Sequence, residues 1–194
     1  TMPRPVAATP ASTPSLAKLR AEVLRCPPVK HIAWIESRCR AVHGLNRALA
    51  TASRADVERA LSSQSPLPWR FAVAVILARN YLVKGRQGFG GKLRLSFLLA
   101  RIRKERNAEL RRQLATLISR IPLTSSAQRK AALALLRPPT PVEVRAIVAE
   151  RLLQNQPEAL ASEMLAATLA TARADPNIEV RRRALLGMRH APQR

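Results

Sequence analysis

Asp175-Pro176-Asn177-Ile178-Glu179-Val180-Arg181-Arg182-Arg183-Ala184-Leu185-Leu186 is the stretch on which the fold is read. Its proline stands at the edge of a helical pattern. From there Val180, Ala184 and Met188 recur at offsets that put their side chains on one helix face. The same succession of Glu, apolar residue and Arg occurs at Glu109-Leu110-Arg111 and Glu143-Val144-Arg145, followed by Leu114 and Ile118 and by Val148 and Leu152. Looser copies stand at Trp69-Arg70, with Val73 and Leu77, and at Val29-Lys30, with Ala33. From Lys30 through Arg70, Arg111 and Arg145 to Arg181 the intervals are 40, 41, 34 and 36 residues, a period that fits one helical hairpin per copy.

On these residues the chain resembles the HEAT-repeat family, whose second helix begins with an Asp, then a Val-Arg pair, then Ala and Leu at helical spacing. The match extends to the acid six positions before the arginine, Asp175 before Arg181 and Glu105 before Arg111. Pro139, Gln64 and Leu24 stand at that place before Arg145, Arg70 and Lys30. The resemblance implies an all-α, right-handed solenoid of about five antiparallel helix pairs whose second helices line a concave face. It further implies that Arg111, Arg145 and Arg181 tie neighbouring repeats together. Family functions run from protein scaffolding to DNA-base excision, so function has to be argued from residues.

Working outward, helical stretches are expected at about 15–26, 29–50, 56–62, 69–83, 93–121 with a break near Asn107, 126–137, 142–154, 158–174 and 177–189. Ser15 and Ser53 are placed to cap two of them. Prolines separate the stretches, and no segment alternates apolar and polar residues as a half-buried strand does. Residues 1–14, rich in Pro, Ala, Ser and Thr, read as a flexible leader, 15–190 as one repeat domain, and 191–194 as a basic tail.

Charge points to the partner. Thirty-four Lys and Arg face 12 Asp and Glu, a net charge of +22, far beyond what solubility requires. Only 6 of the 34 are Lys, and Arg grips phosphate with a planar fork. Between Glu58 and Glu105 there is no acid, while Arg59, Arg70, Arg79, Lys84, Arg86, Lys92, Arg94, Arg101, Arg103 and Lys104 are basic. In the last helix of that window Leu95, Leu98, Leu99 and Ile102 form the core stripe, and Arg94, Arg101 and Lys104 are expected on a solvent-facing stripe. The Gly-rich loop at 85–91 holds backbone donors before a helix start and Phe89 for stacking, which suits an anion, although it lacks Walker spacing. A second basic cluster comprises Arg181, Arg182 and Arg183 with Arg189, His190 and Arg194 and no acid after Glu179.

Other chemistry is discounted. Cys26, His31, Cys39 and His43 lie close in sequence, but the two histidines diverge by about 120° on a straight helix, and two half-buried thiols with ordinary histidines are expected instead of a metal site. Two cysteines do not make a disulfide framework, so an intracellular reducing compartment, cytoplasmic or organellar, is expected. Trp34 and Trp69 are candidate stacking platforms for a glycosylase-like site, but the basic window has no carboxylate, and Asp56 and Asp175 are better read as a cap and a repeat-locking acid. No enzyme, cofactor, small-molecule substrate or membrane span is expected. The reading is a nucleic-acid-binding repeat protein that contacts phosphates, RNA ahead of DNA, within a ribonucleoprotein assembly. The rival is a scaffold with a basic groove for an acidic protein, and a repair enzyme is the minor alternative.

Overall fold

The computed structural model describes residues 15–26, 39, 41–84, 93–121, 123–154 and 158–190, with 80–84, 158–161 and 190 described in backbone only. Among them are ten α-helices and no strand: α1 Leu16–Arg25, α2 Ala41–Thr51, α3 Arg54–Ala60, α4 Leu67–Lys84, α5 Leu95–Lys104, α6 Ala108–Ile118, α7 Ser126–Ala134, α8 Val142–Arg151, α9 Glu158–Ala174 and α10 Ile178–Gly187. A 3₁₀ turn, Met188–His190, follows. The expected leader, tail, Gly-rich loop and most of the 29–50 helix up to Arg40 lie outside the described residues.

The helix starts have identifiable causes. Side chains of Ser15, Ser53, Asn107, Ser125 and Asn177 each accept a hydrogen bond from a first-turn backbone N–H of the helix that follows. Each such cap is worth about 1 kcal/mol. Asn107 supplies the break expected between α5 and α6, its Oδ1 accepting from the Leu110 N–H at 2.9 Å. At α7, Ser125 and Gln128 cap each other reciprocally.

The even-numbered helices pack in series, α2 on α4, α4 on α6, α6 on α8 and α8 on α10, while α1 packs on α2 and α4, α3 on α4, α5 on α6 and α9 on α10. Helix α4 is enclosed: every residue from Ala72 to Ala78 is buried, as a helix apolar all round must be. Trp69 is 2% exposed and belongs to this core, which removes it as a stacking platform. One continuous core runs from Leu19 in α1 to Ala184 in α10. At the α8–α10 crossing a Cβ on Gly187 would stand 2.3 Å from the Ala149 carbonyl oxygen, so only glycine permits this approach.

Cys26 and Cys39 form a disulfide with a Cα–Cα distance of 5.7 Å. This corrects the expectation of two half-buried thiols. Two cysteines were read as too few for a framework, but the close of α1 and the start of α2 bring their Cα atoms within bridging range. With both sulfurs in the bond, neither is available as a metal ligand, and the bond is at odds with the expected reducing compartment. Among the described residues no helix is long and apolar enough to cross a membrane.

Candidate nucleic-acid interface

The arginines of this protein divide by what they touch. A first set forms a seam along the even-numbered helices. In four of them an arginine near the start bends back to the carbonyls of the turn before it: Arg70 Nε donates to Ser65 O at 2.9 Å, and Arg111, Arg145 and Arg181 Nη1 donate to Glu105, Thr140 and Asp175 O at 2.7, 2.6 and 2.7 Å. The same guanidinium then takes a carboxylate from the following unit, Arg70 from Glu105, Arg111 from Glu143 and Arg145 from Asp175. Arg145 does so as a two-pronged fork, with Nε to Oδ2 at 2.9 Å and Nη2 to Oδ1 at 3.1 Å.

The acceptors are just as regular. Glu105 and Asp175 each close an odd-numbered helix, and each also accepts from the N–H of the asparagine two places on, Asn107 and Asn177. Each thus holds the next helix's cap while it receives the previous helix's arginine. Where the Arg145 copy has Pro139 in place of the acid, Glu143 in the first turn of α8 reaches Arg111 instead. Burial pushes the Asp175 carboxyl up, but the Arg145 fork and the Asn177 N–H outweigh it and hold the group below its ordinary value. Arg129 repeats the arrangement between odd-numbered helices, from α7 to Glu163 of α9 at 3.1 Å.

Several residues singled out for phosphate belong to such contacts. Arg70 is in the seam. Arg101, expected to face solvent, is buried, donating to Leu61 O at 3.0 Å and to Glu105 at 2.8 Å; burial pulls its guanidinium below the ordinary value and Glu105 pulls it back up. Of the expected stripe Arg94 and Lys104 are exposed and only Arg101 is not, because its guanidinium reaches the Leu61 carbonyl that follows α3. Arg94 is exposed but forks onto Glu58 at 3.0 and 2.6 Å. Arg182 and Arg183 close on Glu179, and Arg183 also on Glu150, which holds the Glu179 carboxyl down at about 2. Arg79 is exposed on α4, and Lys104 and Arg189 are exposed with no ion pair among the described residues. The Lys84 side chain, Arg86, Lys92 and Phe89 lie outside the described residues.

The second set lines an open groove of about 960 Å³ between the end of α5, helix α7 and the proline turn before α8. Arg103, Lys130 and Arg137 stand on its walls, all exposed and without an ion pair among the described residues. The other charges there cancel elsewhere: Arg111 is held by Glu143 and Glu163 by Arg129. The floor is apolar, with Ile102, Leu133, Leu135, Pro138 and Pro139. Among the described residues expected to bind phosphate, only Arg103 is part of this groove. Lys130 and Arg137 were missed, though a signal existed: Leu110 to Val142 is a second acid-free window, and two cations seven apart on a helical pattern share a face. No family model, curated protein or solved structure matches the chain.

Proposed function

We propose that the chain is a non-catalytic, nucleic-acid-binding helical repeat protein, a HEAT-like right-handed solenoid of about five helix pairs, that takes an RNA strand by its phosphates within a ribonucleoprotein assembly. The observation that carries this reading is the groove. With Arg70, Arg111 and Arg145 matched to carboxylates, Arg103, Lys130 and Arg137 are cations with no ion pair among the described residues, and they flank one channel with a floor on which sugars and bases can rest. Serial packing of α2, α4, α6, α8 and α10 supports the solenoid. The net charge of +22 supports a polyanion.

The apolar floor also favours a second reading, an acidic protein segment laid in the groove. The two are separated by titrating labelled single-stranded RNA and duplex DNA across a salt series, with an acidic peptide as competitor. RNA binding is expected to fall with salt at a log-log slope of order −5. Replacing Arg103, Lys130 and Arg137 together by Gln is expected to make that slope shallower by about 2, since each single-strand phosphate contact contributes about 0.7. Binding that ignores salt, or a slope untouched by the triple variant, would overturn the assignment.

A further inference from the structure

The last arginine of the described seam has no carboxylate partner among the described residues. Arg181 makes the same backbone anchor as Arg111 and Arg145, donating to Asp175 O at 2.7 Å, but its Nε and Nη2 have no acceptor among the described residues.

The surface around it matches. The residue four places after each seam arginine is Ala74, Ala115 and Ala149, at 0%, 1% and 0% exposure, each on a helix packed against the next even-numbered one. In α10 that place is Leu185, at 56% exposure, and three places before Arg181 stands Ile178, at 69%. Ile178, Arg181 and Leu185 fall on one stripe of the helix. Leu185 is thus uncovered beside a guanidinium where α4, α6 and α8 are covered, whereas the place of Ile178 is exposed in those helices too, at Leu67, Ala108 and Val142.

We propose that this face of α10 docks a helix of a partner protein that brings a carboxylate at its first turn and apolar residues behind it, the chemistry that Glu143 and α8 bring to Arg111. The carboxylate completes the Arg181 fork. Leu185, larger than the alanines at the equivalent places, fills a hollow in the incoming helix and keeps the two backbones farther apart than α8 and α10 are. Charge complementarity and the three filled precedents choose this occupant over an apolar partner, which would leave the guanidinium covered and unmatched.

The test uses the intact protein and a labelled, helix-stapled peptide of residues Pro139–Gln154, whose acids and bases balance so that the general positive field does not capture it. Saturable binding at physiological salt is expected, weakened tenfold or more by Arg181→Gln in the protein or Glu143→Gln in the peptide, and abolished by Leu185→Asp. Circular dichroism should show retained helicity for both protein variants, since Leu185 is exposed and replacing Arg181 leaves no buried carboxylate unpaired, Asp175 being held by Arg145. Neutralising the groove cations should leave this binding intact, so its failure and that of the groove assignment are read separately. No binding, or binding indifferent to Arg181 and Glu143, overturns the proposal; so does a concentration-dependent dimer dispersed by Leu185→Asp, which would give the face to a second copy.

Discussion

Arg101 and Arg103 stand two residues apart on α5 and belong to different regions of the molecule. The first is in the buried network of the seam, fixed by a backbone carbonyl and Glu105; the second is on the wall of the groove with no ion pair among the described residues. The difference teaches that charge in this protein has two uses, and that burial decides between them. A guanidinium taken out of water needs a carboxylate and carbonyls to hold its charge, so the seam uses carboxylates where they are scarce. Arg103, Lys130 and Arg137, without an ion pair among the described residues, stand exposed instead.

If that division is right, breaking the seam should be costly and breaking the groove should not. Arg145→Ala strands the buried Asp175 carboxylate and is expected to destabilise the fold by about 3–5 kcal/mol, whereas Arg145→Met with Asp175→Leu should cost much less because no charge is left unpaired. Urea unfolding of the two variants checks this. If both cost the same, the seam acts through side-chain volume and not through charge matching.

Acid probes the same contact without mutation. The folded Asp175 carboxyl lies below its ordinary 3.8, so its contribution is complete above that pH and is lost as pH falls toward the folded value. Glu58, held down chiefly by its hydrogen bonds from Arg94, adds a contribution that begins to fade lower than its ordinary 4.5. Stability should therefore decline between about pH 5 and pH 2, and Asp175→Asn should flatten the Asp175 part of the decline. A decline unchanged in that variant would place the acid sensitivity elsewhere.

The smallest effect is expected at the groove. Replacing Arg103, Lys130 and Arg137 by Gln should move thermal stability by no more than about 0.5 kcal/mol, as for surface positions without partners, while changing RNA binding. A large loss of stability would show that these cations belong to the fold.

The seam was half visible in the sequence. The Glu-apolar-Arg copies located Arg111, Arg145 and Arg181, and the acid six places earlier located Glu105 and Asp175, because a side chain's register on a helix is a local property. Arg70 was aligned with them and still assigned to phosphate, because it falls in the acid-free window between Glu58 and Glu105. Its acid comes from the next unit, 35 residues away. Pairing over such a distance depends on how helices stack, and periodicity along one helix carries no information about it. The groove was harder still, because its walls come from α5, α7 and the turn before α8.

What the sequence by itself determined is the all-helical class, the caps and breaks, the apolar stripes and the excess of positive charge, all of which follow from neighbours within a few residues. Tertiary structure alone decided that Cys26 meets Cys39, that Arg101 is buried and Arg103 is not, that Lys130 and Arg137 join it, and that Leu185 is left uncovered. The physical reason is the same in each case: the exposure and charge balance of a side chain depend on which helix packs across it, and that is fixed by contacts between residues far apart in the chain.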